Sequence, residues 1–198
     1  WSGEDCIPHS IFISQGDYPL KGLHYMLCAM PKILEKYPDA RVYVAGSSLV
    51  EYRTLKQKLK ISAYGKYLRR LIRENGLGDR ILFLGRLNAE QMRDRYLKSS
   101  LFVCCSALEN SPNSLGEAML LGMPCVCADV GGISSIFTHG EDGILYEGHR
   151  LEDKDENTNN NIGYDSGKRL QYISNSLAEA VLEIWGQPGQ MRIYCRNA

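Results

Sequence analysis

Residues 106–132 read SALENSPNSLGEAMLLGMPCVCADVGG, a succession of turn, helix and strand signals that decides the fold. A turn-forming Pro-Asn pair ends the extended run at its start. Ser114, followed three residues later by Glu117, has the spacing of a capping box. This pattern predicts a helix over residues 115–122, ended by a glycine. The apolar run 124–128 then predicts a short buried strand.

The start of this helix is a candidate anion site. The first backbone N–H groups of a helix have no partner within it and point outward at its positive end. We therefore expect the amides of Asn113, Ser114 and Leu115 to suit a phosphate. Glu109 would stand on the loop at the mouth of the site. Glu117, one turn into the helix, would face the same cleft.

Strand and helix signals alternate along the chain on both sides of this stretch. Predicted strands cover 9–14, 41–45, 81–84, 101–105, 124–128 and 143–146. Predicted helices cover 23–37, 64–75, 88–97, 115–122, 134–137 and 170–186. The strands are apolar without alternation, which is typical of a parallel sheet covered on both faces. The sequence therefore predicts one α/β domain, a Rossmann-like doubly wound parallel sheet of about six strands.

In such a sheet, ligands bind at the carboxyl ends of the strands. Four loops are expected there: residues 15–21, Gly46, residues 85–87 and residues 109–115. Because these loops follow different strands of one sheet, they should converge on a single crevice.

A polar insertion over residues 148–168 interrupts the pattern, and its composition predicts a mobile surface loop. Asp153 and Asp155 have the spacing of a metal-binding Asp-x-Asp pair, but no apolar strand precedes them. The same segment begins like an EF-hand, but Thr158 stands where that loop needs glycine. We predict no metal site.

Composition excludes several functional classes. The 198 residues carry 23 acidic and 23 basic side chains, so no overall field attracts nucleic acid. Seven cysteines, five of them in apolar runs, indicate buried reduced thiols and hence a cytoplasmic protein. No transmembrane span or signal segment is evident in the sequence. The abrupt start at Trp1 suggests one excised domain.

The residues of the opening stretch resemble the glycosyltransferases with two Rossmann-like domains (the GT-B fold), and among them retaining family 4. The C-terminal half of that family carries two glutamates separated by seven residues, a small-residue helix, a Gly-x-Pro strand and an Asp-x-Gly-Gly loop. This sequence has Glu109, Glu117, residues 118–119, residues 122–124 and residues 129–132 in that order.

The resemblance covers nearly all of residues 9–147 and implies the donor-binding half of a metal-independent retaining glycosyltransferase. The substrate would be a UDP-, GDP- or ADP-sugar, with no cofactor. The acceptor, a saccharide or a lipid-linked molecule, would bind an N-terminal domain absent from this chain. Synthesis of cell-surface polysaccharide or glycolipid is implied, with possible peripheral association at the inner face of the membrane.

The resemblance also implies roles for individual residues. Glu109 matches the family's glutamate beside the reacting carbon and is the predicted catalytic residue. Glu117 matches the glutamate that binds the ribose hydroxyls. Lys21 matches a lysine that contacts the diphosphate. The family's arginine in the same loop falls on Gln15, next to Gly16, and this departure removes one of two phosphate cations.

The remaining predicted binding residues surround the base and the diphosphate. The turn after the third strand is implied to lie near the base. The residues concerned are Gly85, Arg86 and Leu87 for the base, and Asn110, Asn113, Ser114 and Leu115 for the diphosphate.

Other interpretations stay open. Glu117 alone is explained as readily by helix capping, and Glu109 alone by an exposed loop. The loss of the family arginine at Gln15 is compatible with a non-catalytic scaffold or nucleotide-binding module that keeps the fold. A dinucleotide oxidoreductase lacks its Gly-x-Gly-x-x-Gly signature here.

Overall fold

The computed structural model describes residues 1–47, 62–148, 166–187 and 189. Its strands are β1 (Ile7–Ile13), β2 (Arg41–Ala45), β3 (Ile81–Gly85), β4 (Ser99–Cys104), β5 (Cys125–Ala128) and β6 (Gly143–Tyr146). They form one parallel sheet with the order β3-β2-β1-β4-β5-β6. The chain therefore winds outward in both directions from the β1/β4 pair, where ligands bind in folds of this type.

Helices connect these strands. They are α1 (Leu23–Lys36), α2 (Ala63–Glu74), α3 (Ala89–Lys98), α4 (Asn113–Leu120) and α5 (Ser166–Gly186), with single 3-10 turns at Pro19–Lys21 and Ile133–Ser135. The predicted fold class, a Rossmann-like doubly wound parallel sheet of six strands, is confirmed. Across the described ranges, no helix is long and apolar enough to cross a membrane.

The central strands are buried on both faces. Every residue of β4 and of β5 is buried. This is why these strands carry continuous apolar runs instead of the alternation of a half-exposed strand. The core sits between this sheet and its covering helices.

Two serines lie inside this apolar centre. The register between β1 and β4 shifts between residues 7 and 11 of β1, which interrupts the ladder. The backbone N–H of Ser10 donates to Oγ of Ser100, and the N–H of Ser100 donates to Oγ of Ser10, each at 2.9 Å. The side chains thus satisfy the backbone groups that the shifted register leaves without a strand partner.

Helix α1 continues through Pro31. A proline in a helix removes the hydrogen bond to the carbonyl four residues earlier. That carbonyl belongs to Leu27, and it instead accepts a hydrogen bond from the side-chain amide of Asn75 at 3.2 Å. The end of α2 therefore compensates for the proline of α1.

Asn88 and Gln91, whose three-residue spacing in the sequence predicts a capping box, form one at the start of α3. Oδ1 of Asn88 accepts a hydrogen bond from the Gln91 N–H at 2.9 Å, and Oε1 of Gln91 accepts one from the Asn88 N–H at 3.0 Å. Two amides at the start of α3 are satisfied in this way.

Several elements begin or end one or two residues away from the predicted boundaries, and two predictions differ in a more substantial way. Residues 166–168, expected in the polar insertion, form the first turn of α5, and the predicted helix at 134–137 is a 3-10 turn at Ile133–Ser135. A polar helix start has no apolar periodicity by which it could be recognised. The other predictions for the insertion, including those for Asp153 and Asp155, concern residues outside the described ranges.

The cysteines behave as small apolar side chains. The six within the described ranges form no disulfide, and Cys104, Cys105, Cys125 and Cys127 are buried. Burial raises the pKa of the Cys105 and Cys127 thiols, which keeps them protonated and unreactive at neutral pH.

His24 should make the stability of the domain depend on pH. Burial lowers the pKa of His24 to about 4, and its Nδ1 lies 3.2 Å from the Tyr64 hydroxyl. His24 therefore takes up a proton near pH 6.5 in the unfolded chain but only near pH 4 in the folded chain, so the free energy of unfolding falls as the pH drops from about 6.5 toward 4. Between pH 7 and pH 5 the wild type should lose about 2 kcal/mol of this free energy through His24, and we expect His24→Gln to remove that loss. Urea unfolding at both pH values measures this, and equal pH slopes for the two proteins would contradict it.

Candidate functional site

Four loops meet where the parallel strands end. The N–H of Gly46, after β2, donates to the carbonyl of Gly85 at 2.9 Å. The N–H of Ala107, after β4, donates to the carbonyl of Leu20, after β1, at 2.8 Å. These bonds tie neighbouring strand tips together. We call the region formed by residues 14–22, 46–47, 85–87 and 105–113 the strand-tip crevice.

An ion pair joins the loops after β1 and β4. Nζ of Lys21 donates to Oε1 of Glu109, and the Ser106 hydroxyl donates to the same oxygen at 2.9 Å. The side chains are largely buried, with 21% of Lys21 and 13% of Glu109 exposed. Two predicted site residues 88 positions apart in sequence are therefore brought into direct contact.

The ion pair keeps the lysine charged. Desolvation acts to lower the pKa of Lys21, but the hydrogen bond and charge of Glu109 outweigh it, and the net shift is upward. The crevice therefore contains a fixed positive charge at neutral pH.

Tight backbone packing places Lys21. The 3-10 turn Pro19–Lys21 ends at Gly22, whose φ of 70° is left-handed. A Cβ on Gly22 would lie 1.7 Å from the carbonyl oxygen of Cys105, so only glycine allows this approach. The Cys105 thiol also donates to the carbonyl of Lys21 at 3.4 Å.

Two further glycines position the backbone of Glu109. The Gly132 N–H donates to the Glu109 carbonyl at 3.0 Å. A Cβ on Gly131 would lie 1.8 Å from that carbonyl oxygen, and one on Gly132 would lie 2.1 Å from the carbonyl oxygen of Asn110. The Gly-Gly loop after β5 thus supports the backbone of residues 109–110. Asn110 itself is exposed beside the crevice.

The start of α4 differs from the prediction. The helix begins at Asn113 after Pro112, without a side-chain cap, so the expected capping box between Ser114 and Glu117 is wrong. The Leu115 N–H donates to the Pro112 carbonyl at 3.0 Å and is not available to a ligand. Proline already has the extended backbone of a cap and its carbonyl accepts this bond. Among the described residues, the Asn113 and Ser114 amides have no acceptor.

Glu117 is exposed on α4 and is held by a tyrosine instead of capping the helix. The Tyr96 hydroxyl lies 3.1 Å from Oε2 of Glu117 and 2.9 Å from the Ser114 carbonyl oxygen. Tyr96 was not predicted as a site residue, because a tyrosine at an apolar position of a helix predicts only core packing. Its hydroxyl could have indicated a further role, since a buried tyrosine hydroxyl needs a hydrogen-bond partner.

The other predicted binding residues lie in the loops of the crevice that follow β3 and β1. The Arg86 guanidinium donates through Nε to the Ser47 hydroxyl at 3.3 Å. Gly85, with φ of 74°, turns the chain, and Leu87 is half-buried against the core. Gly16 is buried, and a Cβ there would lie 2.6 Å from the Val44 side chain. Gln15, beside it, is half-buried.

Asp17 is a further residue of this region that was not predicted. Its Oδ1 is buried and accepts no hydrogen bond from the part of the chain that the structure describes. The carboxyl group faces the loop after β2, where a Cβ on Gly46 would lie 3.5 Å from its carbon. A buried carboxylate oxygen without a donor is costly, so this atom suits a hydroxyl or N–H from a ligand.

One cavity lies outside the strand-tip crevice. It has a volume of about 500 Å³, lies between α2 and β3, and is lined by Ile72, Ile81 and Phe83 together with two arginines, and none of its lining residues belongs to the crevice. Within the described part of the chain, no three His, Cys, Asp or Glu side chains group as metal ligands.

Gly131→Ala should destabilise the domain by about 3 kcal/mol, because the added Cβ must displace the backbone of Glu109 as well as adopt a left-handed φ. Gly76→Ala is the matched control: its φ of 65° is similar, but no heavy atom lies within 4 Å. We expect the control to lose about 1 kcal/mol. Chemical denaturation compares them, and equal losses would show that the contact with Glu109 is unimportant.

A family model described as "Glycosyl transferases group 1" matches residues 9–160 of the chain. An uncharacterized glycosyltransferase of Methanocaldococcus jannaschii is 31% identical over 134 residues, which are 68% of this chain and 30% of the relative. The chain thus spans about a third of the length of this relative.

Two solved structures share the fold. HepE of Anabaena, crystallised with UDP, matches with a TM-score of 0.70 and 20% identity, over 98% of this chain and 43% of that one. The C-terminal domain of LpcC, a glycosyl transferase group 1 family protein of Francisella tularensis, matches with a TM-score of 0.69 and 20% identity, over 97% of this chain and 83% of that one.

Proposed function

The chain belongs to the group 1 glycosyl transferases. We therefore propose that it binds a nucleoside-diphosphate sugar in the strand-tip crevice, from which the sugar is transferred to an acceptor. The observation that carries the proposal is the contact of Lys21 with Glu109, which stands four residues before the start of α4. A cation and a carboxylate in contact could bind the diphosphate and the sugar, respectively, on the two sides of the bond that is broken in the transfer.

The diphosphate would be bound by one cation and one helix end. Lys21 supplies the charge, and the Asn113 and Ser114 amides supply donors at the positive end of α4. Negative charge grows on the departing diphosphate in the transition state, so donors held in place there stabilise it more than the substrate. This arrangement needs no metal ion.

The sugar would be bound by Glu109. Its Oε1 is engaged by Lys21 and Ser106, which fixes the carboxylate. The other oxygen remains to accept hydrogen bonds from sugar hydroxyls beside the reacting carbon. We propose transfer with retention of configuration, as the resemblance implies.

The nucleoside would extend toward β3. Glu117 would accept hydrogen bonds from the ribose hydroxyls, and the base would lie near residues 85–87. Gln15 leaves Lys21 as the cation of the loop after β1, so the diphosphate should be bound less tightly than where a second cation stands. UDP is the first nucleotide to test, because HepE was crystallised with it, with GDP and ADP beside it.

The acceptor would be bound by a separate N-terminal domain, and the products would be cell-surface polysaccharide or glycolipid. A saccharide or lipid-linked acceptor fits this role. The buried thiols are consistent with the expected cytoplasmic location.

A non-catalytic scaffold or nucleotide-binding module is the second candidate. Gln15 favours it, since a protein without catalytic function has no need of a second phosphate cation. Such a module would keep the fold and bind nucleotide, but would not need the Glu109 carboxylate.

Removal of Lys21 should weaken nucleotide binding. We expect Lys21→Ala and Glu117→Ala each to lower the affinity of the preferred nucleotide about tenfold or more, because each removes a charged hydrogen-bonding group. Calorimetry with UDP, GDP and ADP measures the affinities.

Lys32→Ala is the control for this experiment, because it also removes a lysine from an ion pair, here with Glu179 at 2.7 Å and far more exposed. It should leave binding unchanged. The absence of binding by all three nucleotides would count decisively against the proposal.

Glu109→Gln separates the enzyme from the scaffold. In the full-length protein, we expect this change to lower kcat about a hundredfold or more, because the amide keeps the size of the side chain but loses its charge. The measurement is transfer from the preferred donor. Unchanged function of the full-length protein would favour the scaffold.

A further inference from the structure

The Tyr96 hydroxyl connects two parts of α4. It lies 2.9 Å from the carbonyl oxygen of Ser114, in the first turn, and 3.1 Å from Oε2 of Glu117. The tyrosine hydroxyl has one hydrogen to donate, and both neighbours are acceptors, so the carbonyl and the carboxylate compete for it. The ionised carboxylate is the stronger acceptor.

The tyrosine ring is held firmly. Tyr96 is 1% exposed, its ring packs edge-on against Phe12 with centroids 4.9 Å apart, and Phe102 lies 5.5 Å away. Phe12 is in β1 and Phe102 in β4, the two strands at the centre of the sheet. The hydroxyl is therefore fixed relative to the sheet, independently of α4.

The hydroxyl also stays protonated. Burial, followed by the charge and hydrogen bond of Glu117, raises the pKa of Tyr96 well above its usual range. Tyr96 is thus a neutral donor at neutral pH.

Glu117 itself is exposed and would sample several rotamers without such a contact. Its Oε1 accepts no hydrogen bond from the described residues, whereas Oε2 is engaged by Tyr96. The carboxylate therefore presents one oxygen outward in a defined orientation.

We propose that Tyr96 is a positioning residue for nucleotide recognition: its hydroxyl orients the Glu117 carboxylate toward the ribose hydroxyls and so pre-organises the site. The inference rests on the proposed ribose-binding role of Glu117. Pre-organisation strengthens binding by removing the entropy cost of fixing the side chain when the ligand arrives.

Tyr96→Phe tests the inference with two ligands. They are the tightest binder among UDP, GDP and ADP, and its 2′,3′-dideoxy form. We expect the variant to bind the ribonucleotide about fivefold more weakly and to bind the dideoxy nucleotide as the wild type does. A purely structural tyrosine would weaken both ligands by the same factor, because it would act on the whole site.

Tyr146→Phe is the matched control. Tyr146 is also a buried tyrosine, 3% exposed, and lies in β6, but its hydroxyl has no hydrogen-bond partner within the described ranges. We expect the control to bind both nucleotides as the wild type does.

The outcomes distinguish the two levels of the argument. Equal losses for both ligands, or no loss, in Tyr96→Phe would overturn the positioning role while leaving nucleotide binding intact. A wild type that binds both ligands equally would overturn the role of Glu117 and this inference with it. A wild type that binds no nucleotide would overturn the proposed function as well.

Discussion

The ion pair between Lys21 and Glu109 joins the loops that follow β1 and β4, the two strands at which the strand order of the sheet reverses. The geometry of the site depends on this ion pair. The pair exists because β1 and β4 are neighbours in a parallel sheet, so that their following loops leave the same edge side by side. Burial would make either charge costly alone, whereas together they are stable and keep the lysine protonated.

Glycines allow the loops to come this close. Gly22 lets the lysine loop approach the end of β4, and Gly131 and Gly132 let the loop after β5 approach the backbone of Glu109. In each case a Cβ would overlap a carbonyl oxygen. The Lys-Gly and Gly-Gly pairs of this chain thus have a structural explanation: their glycines allow the close backbone approaches that position Lys21 and Glu109.

Helix α4 combines a start at which two amides have no acceptor among the described residues with a carboxylate one turn later. Its start uses Pro112 in place of a side-chain cap, which leaves two amides available, and its carboxylate is held by a tyrosine from α3. The packing of Tyr96 between β1 and β4 links this helix to the same pair of strands that carries the ion pair. The site is therefore organised around one strand pair.

The element order, the parallel sheet and the loops at its carboxyl edge could be predicted from the amino-acid sequence, because continuous apolar runs alternating with helical periodicity suit few other folds. The capping box at Asn88 could be predicted as well, since its partners are local. The pairs of atoms that meet became visible only in the folded chain: Tyr96 with Glu117, Asn75 with the carbonyl freed by Pro31, and Gly131 with Glu109. These contacts join residues far apart in the chain. Their energies depend on burial and on differences in distance of a few tenths of an ångström, and no local sequence pattern encodes either. Ser114 illustrates the limit: its spacing to Glu117 is that of a cap, but the helix begins at Asn113 and Pro112 occupies the cap position.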